Sequence, residues 1–134
     1  MSSAEASFRV SIAPWLSVRG SAAAVAFYKA AFGAVEVYRF DGGEAGIVAR
    51  LSVAGAEFWV SEESPEHGNL SPGSPGGSSV RMILTVAEPD AVFAQTRAAG
   101  ATEVYPVSEG HGWRVGRVVD PFGHHWEIGR PLDA

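Results

Sequence analysis

Near the end of the chain His125 and Glu127 flank Trp126, two residues apart. On a β-strand such residues share a face at a separation of roughly 6.5–7 Å, too far for simple adjacency but bridgeable by one metal ion. Glu127 is therefore the candidate catalytic carboxylate, as a general base, and His125 its candidate ligand-binding neighbour. The spacing supplies no third donor. Arg81 either grips the carboxylate or phosphate of a ligand or neutralises Glu127, since a guanidinium pairs with oxyanions in a bidentate geometry. Trp15, Trp59 and Trp113 offer indole faces, each with large burial area and one donor, suited to a flat or apolar ligand. Each choice has a plainer counterpart: carboxylates at strand ends are commonly paired or solvated, and strand aromatics commonly fill a core.

Other chemistries are excluded by what is missing. His-x-Glu also opens the zinc deaminase signature, but that needs a Pro-Cys-x-x-Cys partner, and the chain has no cysteine. No Gly-x-Ser-x-Gly elbow occurs, so a hydrolase triad has no support. The glycine-spaced stretch from Gly110 to Arg117 precedes a strand rather than a helix, which argues against a phosphate-cradling nest. Arg114 and Arg117 within it read as a surface or loop-anchoring pair. His124 reads as a local hydrogen-bonding residue of a turn, and His67 and His111 as loop histidines, of which His111 is the one within reach of a cleft mouth. A formal net charge of −5, with a single lysine, argues against nucleic acid or an anionic membrane as partner. No apolar run approaches the roughly 20 residues a membrane span needs, and Met1 to Ser7 lacks a signal-peptide pattern. A cytoplasmic protein is expected.

The elements that must position these residues come from a repeat. Gly33-Ala34-Val35-Glu36-Val37-Tyr38 returns as Gly100-Ala101-Thr102-Glu103-Val104-Tyr105, identical at five positions of six and displaced by half of the 134 residues. Each copy follows a helical run ended by its glycine, and a strand-like run precedes each helix: Ile12 to Val18 and Val80 to Val86. In the first half Ser21 is the expected N-cap for a helix from Ala22 to Phe32, and Gly33 its left-handed stop. Strands are expected at Val35 to Phe40, Ala45 to Val53 and Glu57 to Ser61, the last two forming a hairpin around Ala54-Gly55. In the second half Pro89 fits the first helical position, a helix runs from Asp90 to Ala99 and Gly100 ends it. Strands then follow at Thr102 to Tyr105, Trp113 to Val119 and His124 to Gly129, the last pair joined by a type I turn at Asp120-Pro121-Phe122-Gly123.

The expectation is an α+β chain of two βαβββ modules, residues 8–62 and 80–130, joined by a Ser/Pro/Gly-rich loop over 63–79 that also covers part of a cleft. A four-stranded sheet with one helix leaves one face bare, so the two bare faces are expected to enclose that cleft. Alternation places Ile12, Leu16 and Val18 under the first helix. Trp15, Trp59, Arg81, Ile83, Thr85, His125 and Glu127 fall on the bare faces.

The module order, the Phe27-Tyr28-Lys29-Ala30-Ala31-Phe32-Gly33-Ala34 helix end and the terminal Asp120-Pro121-Phe122-Gly123-His124-His125-Trp126-Glu127 resemble the vicinal oxygen chelate superfamily, which includes glyoxalase I, bleomycin- and fosfomycin-resistance proteins and extradiol dioxygenases. The PhnB-like branch is the most similar. The resemblance covers about residues 10 to 130. It implies a U-shaped mixed sheet around a cleft, a homodimer, and in enzymatic members one divalent metal held by four side chains. Those four positions fall on Ala13, Trp59, Arg81 and Glu127, of which only Glu127 can ligate. The expected function is accordingly binding of a small organic molecule without the family metal site and with no other cofactor. The alternative is a metal-dependent lyase, isomerase or dioxygenase resembling glyoxalase I, and a further one is ligand binding that regulates another protein.

Overall fold

The structure is a computed structural model that describes residues 11–74, 77, 78 and 80–133. Residues 8–10 of the expected first module, and residues 75, 76 and 79 of the expected loop, lie outside the described residues. The first module runs β1 (Trp15–Val18), α1 (Ser21–Phe32), β2 (Val35–Asp41), β3 (Ile47–Val53) and β4 (Ala56–Glu62). The second runs β5 (Arg81–Thr85), α2 (Pro89–Ala98), β6 (Thr102–Gly110), β7 (Trp113–Val119) and β8 (His125–Pro131). Their sheets have the orders β1-β4-β3-β2 and β5-β8-β7-β6, and in each the outer first strand is parallel to its neighbour while the rest are antiparallel. The duplicated sequence thus folds twice into one topology.

Local chemistry sets the boundaries. Pro14 has no N–H to offer a ladder, and it stands just before β1, where its carbonyl accepts from Trp59 N at 2.8 Å. Gly33 is left-handed at φ 68° and returns its N–H to Lys29, ending α1. Ala54 and Gly55, at φ 50° and 95°, turn the β3–β4 hairpin with both central residues left-handed. Ser21 is not the N-cap: it is the first helical residue, and its hydroxyl instead accepts Ile47 N at 2.9 Å. Glu62, from the end of β4, accepts Gly20 N and Ser21 N at 3.0 and 2.9 Å. A carboxylate from another strand therefore does the capping, which no local pattern around Ser21 reveals. The second helix also shifts by one residue, beginning at Pro89 and ending with Ala99 in a right-handed cap before Gly100.

The modules meet through their helices: α1 packs on α2, and Gln95 of α2 donates to the Ala30 and Ala31 carbonyls at the end of α1. Beneath them Phe27, Tyr28, Phe32, Phe58, Phe122 and Trp126 form one aromatic cluster with ring centroids 4.7 to 6.4 Å apart. Leu16 and Val18 are buried under α1 as alternation requires. Ile12 is not, being 97% exposed, because β1 begins only at Trp15 and the strand period does not reach back past Pro14. The opposite sheet faces carry Trp15, Ile83 and their neighbours at the surface of the single chain.

Candidate functional site

All six proposed site residues lie on bare sheet faces and gather in two groups, four on the second module and two on the first. On the second module Arg81 Nε stands 2.8 Å from Glu127 Oε2, with the Glu127 side chain only 17% exposed. Arg117, from the neighbouring β7, brings Nη1 to 3.9 Å from the same oxygen. Its Nε donates to His125 Nδ1 at 3.1 Å. Because Nδ1 accepts that bond, the ring proton of neutral His125 resides on Nε2. Burial holds the His125 pKa below the usual histidine range, and the charge of Arg117 lowers it further. The Tyr105 phenol completes the group, its pKa raised by burial and by the Glu127 carboxylate.

Beside this group lies a cavity of about 370 Å³ lined by Ile83, Gly110, His111, Trp113, Val115 and Glu127. Trp113 and Val115 are alternate residues of β7, so both point to one side, and Ile83 sits opposite Glu127 in the parallel ladder. Ile83 is 60% exposed, a large apolar side chain at the surface. His111 occupies the left-handed turn position between β6 and β7 at φ 54°, which brings it to the cavity rim. His67 lies elsewhere, hydrogen-bonded through Nδ1 to Ser64 in the loop.

On the first module Trp15 and Trp59 are paired in register and stacked, with ring centroids 4.9 Å apart and planes 7° from parallel. Trp15 Nε1 donates to Ser61 Oγ at 2.8 Å, which fixes the indole. Arg50 lies over Trp59 at 5.3 Å and pairs with Glu57, and Tyr38 stands 5.7 Å from Trp59.

The two groups are the same row of the repeated sheet. Tyr38, Arg50, Trp59 and Trp15 are successive cross-strand partners, as are Tyr105, Arg117, Glu127 and Ile83. The register shifts before Tyr38 and again before Tyr105, so a β-bulge is duplicated with the row. Sequence reading missed Tyr38, Arg50, Tyr105 and Arg117 as site residues. The signal was available: the 67-residue displacement that maps Tyr38 onto Tyr105 also maps Arg50 onto Arg117. Arg117 is thus no surface partner of Arg114. Arg114 binds the Asp90 carboxylate with two hydrogen bonds of 2.6 and 2.7 Å, while Arg117 belongs to the Glu127 group.

His124 does more than shape its turn, since its Nε2 lies 3.0 Å from the Ser17 carbonyl of the first module. The inter-module loop is pinned nearby by Glu63, which accepts Ser71 N, Ser74 Oγ and Arg19 Nε at 2.7 to 3.0 Å. Those bonds hold the Glu63 pKa at about 2. The pinned loop borders a cavity of about 350 Å³ through Leu70 and Pro72, opposite Trp15 and Met82.

The residues at the four positions the resemblance assigns to a metal do not make a donor set. Ala13 and Trp59 present no lone pair, Arg81 presents a cation, and Glu127 is engaged by it. Among the described residues no group of three His, Cys, Asp or Glu side chains is placed to hold a metal ion. His125 would have to give up the Arg117 bond to change tautomer.

Comparison with known proteins adds the family. Residues 15–129 match the glyoxalase-like domain. An uncharacterised protein of Mycobacterium bovis is 37% identical over 126 residues, spanning 90% of this chain and 83% of that one. Among solved structures, TioX from Micromonospora sp. ML1 superposes with a TM-score of 0.73 at 27% identity, over 92% of this chain and all of its own. A glyoxalase/bleomycin resistance protein/dioxygenase family enzyme from Burkholderia phytofirmans gives 0.67 at 19% identity, over 88% and 95%. The latter shows the fold alone.

Proposed function

The chain belongs to the glyoxalase-like domain family, and from that premise we propose that it binds a small organic molecule against the Arg81–Glu127 face of its second module, without the divalent metal that enzymatic members hold. The observation that carries this reading is the 2.8 Å Arg81–Glu127 ion pair, which places a guanidinium where a metal would be needed. The neighbouring cavity has the size of a small-ligand site and an apolar wall of Trp113, Ile83 and Val115. Binding without turnover is the role of the bleomycin-resistance members that the sequence resembles. Glu127, the earlier candidate for catalysis, then serves to hold Arg81 in place.

Within the superfamily we assign the chain to the PhnB-like branch, a reading supported by the resemblance of its Asp120 to Glu127 ending. The protein acts as a cytoplasmic homodimer, in which the stacked Trp15 and Trp59 supply a second aromatic wall to the ligand site. Support for the dimer is the exposure of Trp15 and Ile83 on β1 and β5, the strands that end each sheet. No helix among the described residues is long and apolar enough to cross a membrane.

The test is a thermal-shift screen of aromatic and amphipathic compounds with and without a chelator. Stabilisation that survives the chelator and disappears in Trp113→Ala is the expected result. Stabilisation that appears only with added divalent metal would favour the lyase, isomerase or dioxygenase alternative.

A further inference from the structure

The donors and acceptors on the second module's bare face do not balance. Two guanidinium groups, Arg81 and Arg117, carry five N–H donors each, and one carboxylate, Glu127, faces them. Arg81 uses its Nε on Glu127 at 2.8 Å; Arg117 approaches the same oxygen only at 3.9 Å and uses its Nε on His125. His125 accepts at Nδ1 and so presents an N–H at Nε2. The Tyr105 hydroxyl adds another donor beside Glu127. With His125 neutral, the row has a formal surplus of one positive charge, and Glu127 Oε2 already faces both guanidinium groups.

We infer that the ligand of this face is an organic acid: a flat or apolar body against Trp113, Ile83 and Val115, with a carboxylate or similar oxyanion directed at Arg117 and Arg81. This rests on the binding role proposed for the face and adds the chemical class. A cationic ligand would meet the surplus positive charge of the two guanidinium groups. A neutral apolar ligand would cover guanidinium donors without replacing the water it displaced, which is costly for charged groups. An oxyanion receives charge-assisted hydrogen bonds from donors that already have fixed positions. The first module's row lacks this surplus, because Arg50 is paired with Glu57 and lies over Trp59.

Isothermal titration of the full chain with naphthalene carboxylate, the corresponding carboxamide and the aminomethyl analogue tests this. The carboxylate should bind about tenfold or more tighter than the amide, as one charge-assisted hydrogen bond implies. In Arg117→Gln the preference for the carboxylate over the amide should narrow, since one of the two guanidinium groups facing the oxyanion is gone. Equal affinity of acid and amide in the wild type, or preference for the amine, with binding lost in Trp113→Ala, overturns the acid class and leaves the cavity reading standing. That comparison needs no Arg117 variant. Failure of all three compounds to bind overturns both.

Discussion

Tyr28 of the first module donates its phenolic hydrogen to Asp120 Oδ2 of the second at 2.6 Å, across 92 residues of chain. The same oxygen accepts Trp126 Nε1 at 2.9 Å, and Oδ1 accepts the Phe122 and His124 amides, both at 2.9 Å. A buried carboxylate is thereby fully satisfied, and the turn leading into β8 is fixed in position. His125 and Glu127 follow that turn directly. Burial raises the Tyr28 pKa well above the usual phenol value, with the Asp120 charge adding to it, so the hydroxyl remains a donor at all working pH.

Tyr28→Phe removes that donor and leaves Asp120 Oδ2 with Trp126 alone. Stability should fall by ~1–3 kcal/mol, the cost of depriving a buried group of a hydrogen bond. Chemical denaturation would show it as a lower midpoint with an unchanged slope. An unchanged midpoint would mean that the contact between modules contributes nothing at this point.

Glu63 should stabilise the loop in a pH-dependent way. Its folded pKa is about 2 against 4.5 for the free side chain, so its contribution is complete above 4.5 and is lost as pH falls towards 2. Wild type should therefore melt above Glu63→Ala at neutral pH, and the gap should close through that window. A gap of constant size across the window would contradict the assignment.

His125 should titrate below 6.5 and carry its neutral proton on Nε2. Below 6.5 the unfolded chain takes up a proton that folded His125 refuses, so stability declines as pH falls through this range, and His125→Asn should lessen the decline. Nitrogen-15 NMR of the imidazole reads both tautomer and midpoint. An Nδ1–H tautomer would mean that Arg117 does not donate to this ring.

The indole stack should be measurable as a coupling. A double-mutant cycle on Trp15→Ala and Trp59→Ala should give roughly 0.5–1.5 kcal/mol beyond the separate losses, as expected for an aromatic pair. Additive losses would show that the two rings are not in contact in solution.

The duplicated topology was legible because it is written in local terms: helix-stopping glycines, a left-handed Ala54-Gly55 turn and a period of two. Arg81 and Glu127 were legible as a pair because period-two alternation puts both side chains on bare faces, one on the first and one on the last strand of the second module. What escaped depends on residues distant in sequence. Glu62 caps α1 from β4, and His124 reaches the Ser17 carbonyl across 107 residues. Arg117 was read as a surface residue because its neighbours are glycines and arginines. Only the β7–β8 ladder places it beside Glu127, while the bulge before Tyr105 belongs to the β6–β7 ladder and sets Tyr105 opposite Arg117.

In the proposed metal-free site the Arg81 guanidinium stands beside Glu127 in place of a metal. Elemental analysis of protein purified without chelators, after exposure to nickel, zinc, iron and manganese, tests that directly in the wild type and in Glu127→Ala. Substoichiometric metal, alike in both proteins, is the predicted result. One equivalent of a divalent ion in the wild type, lost in Glu127→Ala, would contradict it.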